Sequence, residues 1–368
     1  MSGIAATLSV DFAGLADVVV EIREDDETNG TTGNLVQAHT NQDGQKSYKV
    51  LKGSYDIIFN KGPSKLLIDA VDCTNDSCET ADIVSTLFVD YKRLTDISLE
   101  IRVDDGLQGT AGNIVEISLN QTGQKTYKVL RNSYDLIFKM SSSEFVVDKV
   151  DCRTASCTAG KIAATLSVDY GSLSGVQMEI RKADGRIGTA GALLSSRVGQ
   201  SGRKTYDVLQ SRYDLVFKKG AAELVVDTVS CRTGWCRSRQ IYAELLIEYG
   251  WMPTSIEVRT DDGHAGTTGG LVESHEGQTG SQRYDVLRGH YDVAVKDDEW
   301  SFIKDAIDCS AKSCELRLET RERSRKLLSE LEAAELQAQL SLLMKSYTEY
   351  HPSVIAVRRR LEELKAAD

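Results

Sequence analysis

The eight cysteines constrain this chain more than any other feature. They fall as Cys73/Cys78, Cys152/Cys157, Cys231/Cys236 and Cys309/Cys314. Every pair is C-x4-C, and successive pairs lie 79, 79 and 78 residues apart. A fixed period of that length marks internal repeats. The tyrosines keep the same phase: Tyr48, Tyr127, Tyr206 and Tyr284 form one series, and Tyr55, Tyr134, Tyr213 and Tyr291 another. Four units follow, at 1–81, 82–160, 161–239 and 240–316. A tail without cysteine occupies 317–368.

Within a unit the dominant period is two. Leu8, Val10 and Phe12 alternate with Thr7, Ser9 and Asp11. Val18, Val20 and Ile22 form a stripe opposite Glu21 and Arg23. Tyr134, Leu136 and Phe138 alternate with Asp135, Ile137 and Lys139. Such alternation marks half-buried strands. Turn signals separate them: Asp43-Gly44, Asp105-Gly106, Asp184-Gly185 and Asp262-Gly263. About seven short strands in 79 residues predict an antiparallel sandwich. The fold class is therefore mainly β, with four tandem sandwiches.

A C-x4-C pair fits two strands flanking a four-residue turn, and a disulfide there is the expected state for all eight cysteines. Closing so short a loop stabilises by about 2 kcal/mol in the chain-entropy model. Zinc needs four ligands and no histidine recurs in phase nearby; redox pairs are usually C-x-x-C beside a helix. Disulfides imply an oxidising compartment, so the expected location is extracellular or at the cell surface. The start, Met1-Ser2-Gly3-Ile4, has no signal-peptide pattern. Ile4–Phe12 nearly copies Ile162–Tyr170, so the chain begins almost on a repeat boundary. A processed or truncated chain is the expectation, with a true start created by duplication as the alternative.

The stretch from Gly123 to Leu136, GQKTYKVLRNSYDL, resembles the turn, strand and G-x-Y strand of prealbumin-like (Ig-like) sandwiches. Collagen-adhesin B-type repeats and carboxypeptidase regulatory-like domains share that pattern. Gly53-Ser54-Tyr55 and Gly289-His290-Tyr291 carry its glycine, whereas Asn132 and Ser211 replace it in the middle repeats. The resemblance implies stalk or adhesive modules. Some members carry a Lys–Asn cross-link, but Thr7–Phe12 and Thr165–Tyr170 contain no lysine, so none is expected.

Candidate sites are few. The acidic turns Asp25-Asp26, Asp104-Asp105, Asp184 and Asp261-Asp262 read as solvated hairpin turns. A calcium site wants six to eight oxygens, and no D-x-D-x-D-G loop is present. The loops Gly30–Gly33, Gly109–Gly112, Gly188–Gly191 and Gly266–Gly269 lack the lysine and helix of a phosphate cradle, and read as bends. No Ser/His/Asp or Cys/His set recurs in phase. No catalytic residue, metal ligand or cofactor is expected, and the chain is read as a non-enzyme.

From about Glu319 the period becomes 3.6. Leu336, Leu340, Leu343 and Tyr347 make one seam, and Leu327, Leu331, Ala334 and Ala338 an adjoining one. After Pro352, Val354, Val357, Leu361 and Leu364 make a third. This predicts a helical hairpin of about 28 and about 15 residues, whose seams need partners. His351 reads as a turn residue. The segment from Tyr347 to Leu361 resembles the turn of the coiled-coil hairpin in bacterial polysaccharide chain-length determinant proteins. That resemblance implies hairpin geometry and self-association.

Charge sorts with the division. The chain carries −11 overall. The tail has ten basic and nine acidic side chains, so the repeats carry −12. An acidic array argues against nucleic acid as a partner, and no run of 18 apolar residues suits a membrane span. Arg321, Arg323, Arg325, Lys326 and Arg358–Arg360 could meet the acidic repeats or face water. The expected role is a self-assembling subunit of a surface or extracellular filament, partnered by itself. The alternative is an adhesin or carbohydrate-binding stalk using Trp235, Trp251 and Trp300, with surface glycans or matrix as partner.

Overall fold

The structure is a computed structural model. It describes residues 5–296, 301–317, 320–346, 349 and 351–367, and within these not the side chains at 249–253, 301, 320–332 and 363–367. The chain is mainly β, with two C-terminal helices. It divides into two compact units. One is Met1–Tyr170, Ser174–Phe217 and Val225–Arg239; the other is Gly171–Leu173, Lys218–Leu224 and Gln240–Asp368.

The first repeat shows the plan. Its strands are β1 (Ala5–Asp11), β2 (Val18–Glu24), β3 (Leu35–Gln42), β4 (Gln45–Leu51), β5 (Ser54–Lys61), β6 (Ser64–Asp72) and β7 (Ser77–Glu79). One sheet runs β4-β1-β7 and the other β3-β2-β5-β6. The alternating apolar residues close the core between them: Leu8, Val10, Phe12, Val18, Val20, Ile22, Tyr48, Ile57 and Phe59 are all buried. Phe12 meets Phe59 edge-on at 6.2 Å, as Tyr91 meets Phe138 at 6.0 Å in the second repeat. The counterparts of β5, at Ser133–Met140 and Arg212–Lys219, sit centrally in four-stranded sheets.

Three expectations change. First, the sandwich is mixed: β1 pairs antiparallel with β4 but parallel with β7. The chain leaves β6 in one sheet and crosses to the other, so it arrives beside β1 in the same direction. Second, the strand at Ser133–Met140 does not alternate in exposure. Tyr134 through Phe138 are all buried, because the strand is central and Ile137 faces Glu100 and Val146 across its neighbours. Third, among the described residues the fourth repeat has five strands, not seven, because Tyr242–Thr260 and Leu271–Leu287 each run on where repeats one to three have two strands. A single strand, Tyr242–Thr260, continues where repeats one to three turn a corner. In those repeats the corner contains a residue with positive φ, at Asp17, Asp96 or Gly175. Repeat four has Pro253 before its Thr254, and the linking segment is one residue shorter by register.

The tail forms α1 (Thr320–Ser346) and α2 (Pro352–Ala367), which pack together. Proline stands at the first position of α2, where its missing N–H costs nothing. The carbonyl of His351 accepts the N–H groups of Val354 at 3.0 Å and Ile355 at 3.1 Å, so the turn histidine begins the helix. Among the described residues, no helix is long and apolar enough to cross a membrane.

Candidate functional site

Each repeat carries one loop end built from nearly the same polar parts, with Ala183 in the third where the others have Asp25, Asp104 and Asp261. In the first, Asp25 and Asp26 follow β2, and the loop Gly30–Gly33 leads into β3. The Asp26 carboxylate accepts the Thr28 N–H at 3.0 Å and the Thr31 hydroxyl at 2.7 Å. The Gly30 N–H donates to Asp69 Oδ2 at 2.7 Å, and the φ of +84° at this position suits glycine. At Gly33 an added Cβ would lie 2.5 Å from the Glu24 carbonyl oxygen, so nothing larger fits. The Arg23 guanidinium caps the loop from the strand side, on the Gly33 carbonyl. The glycine loops are thus tight bends, closed by charge on both sides.

Asp56 joins this loop from β5. It is 1% exposed, and its Oδ1 accepts the Ala70 N–H at 3.1 Å. Ala70 has a φ of +51° and sits at a bulge in the β5–β6 ladder. The device recurs: Asp135 holds Lys149, Asp214 holds Thr228 and Asp292 holds Ala306, each on a residue of positive φ. In the second and third repeats the other oxygen accepts the turn N–H, Asp105 at 3.2 Å and Asp184 at 3.0 Å. The Asp262 carboxyl is held below its usual range by the Thr267 hydroxyl and then the His264 N–H. That of Asp184 is held low by the Arg186 N–H and then the Thr189 hydroxyl.

The acidic turns are therefore not only hydrated hairpins, because each meets a buried carboxylate from a strand thirty residues on. The sequence reading missed Asp56 and Asp69 with their counterparts. Their signal was present: an acidic residue recurs in phase inside the apolar runs Tyr55–Phe59, Tyr134–Phe138, Tyr213–Phe217 and Tyr291–Val295.

All eight cysteines are joined as Cys73–Cys78, Cys152–Cys157, Cys231–Cys236 and Cys309–Cys314, with Cα atoms 4.9–5.1 Å apart. They do not flank a hairpin. Cys73 follows β6 and Cys78 lies in β7, so each bond clamps the crossover between the two sheets.

On the helices, Val354 and Leu361 are buried, and Leu336, Leu340, Leu343 and Val357 are half-buried. The side chains of Leu327, Leu331 and Leu364 lie outside the described residues. Ala334 and Ala338 are exposed, as are Leu342, Met344 and Ile355. Trp235 is exposed; the side chains of Trp251 and Trp300 lie outside the described residues.

No family model matches the chain, and no curated protein matches it. Solved structures do. The TIE protein of Bacillus anthracis is 9% identical, with 83% of this chain and 68% of that chain covered and a TM-score of 0.17. Two structures of the major pilin of Streptococcus pyogenes are 10% and 9% identical, with 86% of this chain and 100% of each of theirs covered and TM-scores of 0.13. Scores this low carry no argument about function.

Proposed function

We propose that the chain is a non-enzymatic structural protein of the extracellular space or cell surface, a subunit that assembles with copies of itself into a filament. The observation that carries this reading is the interlocking of successive repeats. Leu130 of the second repeat is buried in the core of the first, and Leu209 of the third in the core of the second. The buried Ser64 hydroxyl bonds the Tyr134 hydroxyl at 2.9 Å, and Ser143 bonds Tyr213 in the same way. Lys61 pairs with Glu116 at 3.6 Å beside the first of these junctions. Between the first and second repeats, and between the second and third, a shared core restricts movement of one module against the next.

Two surfaces suit association. Leu51, the counterpart of Leu130 and Leu209, is 60% exposed. The helix pair leaves Leu342, Met344 and Ile355 exposed. Apolar groups of that size favour burial on contact. The four disulfides fit an oxidising compartment. Removing residues 317–368 tests the part given to the helices: light scattering should show the oligomer lost, and an unchanged mass refutes that part.

A second reading, a carbohydrate-binding stalk, is favoured by Trp235, an exposed aromatic able to stack on a sugar. Screening the protein against glycan and matrix arrays separates the two. Binding abolished by Trp235→Ala supports the stalk, and no binding removes it.

A further inference from the structure

We propose that the loop ends of the first and fourth repeats each bind one hard divalent cation, calcium by the chemistry of the donors. In the first repeat, carboxylate oxygens of Asp25, Asp26 and Asp56 all lie within 4.8 Å of one another. In the fourth, those of Asp261, Asp262 and Asp292 do the same. Acidic residues alone would not make a site. Asp104, Asp105 and Asp135 cluster in the same way in the second repeat, and Asp135 and Asp214 are as deeply buried as Asp56 and Asp292. What distinguishes the first and fourth repeats is the unpaired second oxygen of the buried member. Asp56 is 1% exposed and Asp292 is 0% exposed. In each, Oδ1 is engaged by a backbone N–H, and Oδ2 is buried with no hydrogen-bond partner among the described residues. In the second and third repeats the same oxygen points at the acidic turn and is satisfied by its N–H. In the first and fourth it lacks that partner.

A carboxylate oxygen withdrawn from water and left unpaired is costly, and three like charges at this spacing repel one another. Around Asp25, Asp26 and Asp56 no lysine or arginine side chain forms an ion pair, among the described residues. One divalent ion removes both costs together. The donors are all oxygens, which excludes soft metals. Their setting is irregular and half open to solvent, so water and loop carbonyls complete the shell. That suits calcium, which accepts about 6–8 oxygens in variable geometry, over magnesium, which demands a near-regular octahedron. Two of three ligands lie on the open loop, so the affinity belongs with extracellular modules, at about 10⁻⁴–10⁻³ M. The third repeat supplies an internal comparison: Ala183 stands where the others have Asp25, Asp104 and Asp261.

Equilibrium dialysis of the full chain against radiolabelled calcium tests this, after treatment with a chelator. Saturable binding is expected. Asp25→Asn and Asp261→Asn should each lower the number of ions bound by one, while Asp184→Asn leaves it unchanged. Asparagine keeps the oxygen that accepts the Glu27 or Gly263 N–H, so these turns persist; unchanged circular dichroism without calcium checks that they do. Calcium should also raise the melting temperature of the parent chain and raise it less in the double variant. Absence of saturable binding, or the same ion count in all three variants, overturns the proposal.

Discussion

Single residues here do structural work that depends on protonation. Burial pushes the Tyr48 phenol up to about 12, and that of Tyr134 to about 12 against the opposing bond from Ser64. Unfolded phenols titrate near 10. A folded-state value raised above the unfolded one stabilises fully below about pH 10, and that contribution is lost as pH rises towards 12. Phenolate absorbance should therefore show these tyrosines ionising late, with loss of the fold; complete titration near pH 10 with the fold intact contradicts this burial. Asp214 is a second test. It is fully buried and holds the N–H groups of Thr228 and Asp184. Asp214→Ala leaves both without an acceptor and should cost about 1–3 kcal/mol in denaturant unfolding. The tyrosine positions were legible in sequence, because large apolar residues in phase report a core. The role of Asp214 was not. Its partners lie 14 and 30 residues away, and only strand register brings them together.

At the scale of elements, local pattern was readable and partner choice was not. Leu8, Val10 and Phe12 announced β1 by their period, and Pro352 announced the start of α2. Nothing local shows that β7 runs parallel beside β1, since that follows from the crossover after β6. The disulfide therefore stabilises a link between sheets. Replacing Cys152 and Cys157 together by serine should cost about 2 kcal/mol in chemical denaturation, and the loss should be reproduced by a reductant in the parent chain. The glycine loops make a sharper case. A Cβ at Gly112 would lie 2.6 Å from the Val103 carbonyl oxygen. Gly112→Ala should displace the loop and lower the melting temperature, whereas alanine at neighbouring Ala111 is already native.

For the whole molecule, the period of 79 residues foretold repeated sandwiches but not how they join. The joining depends on Leu130 and Leu209, which read as ordinary strand apolar residues until they enter the preceding core. It depends also on Ser64 and Tyr134, 70 residues apart. Tyr134→Phe leaves the Ser64 hydroxyl buried without that partner and should cost about 1 kcal/mol. Repeat three has Ala222 at the serine position, so the fourth repeat's Tyr291 donates to the Leu287 carbonyl without a serine hydroxyl there. The assembly of whole chains is the claim on which the functional reading rests. Electron microscopy of the purified, oxidised full chain tests it most directly. Filaments or ordered oligomers, lost when residues 317–368 are removed, are the predicted result. A uniform field of single monomers at high concentration would contradict it.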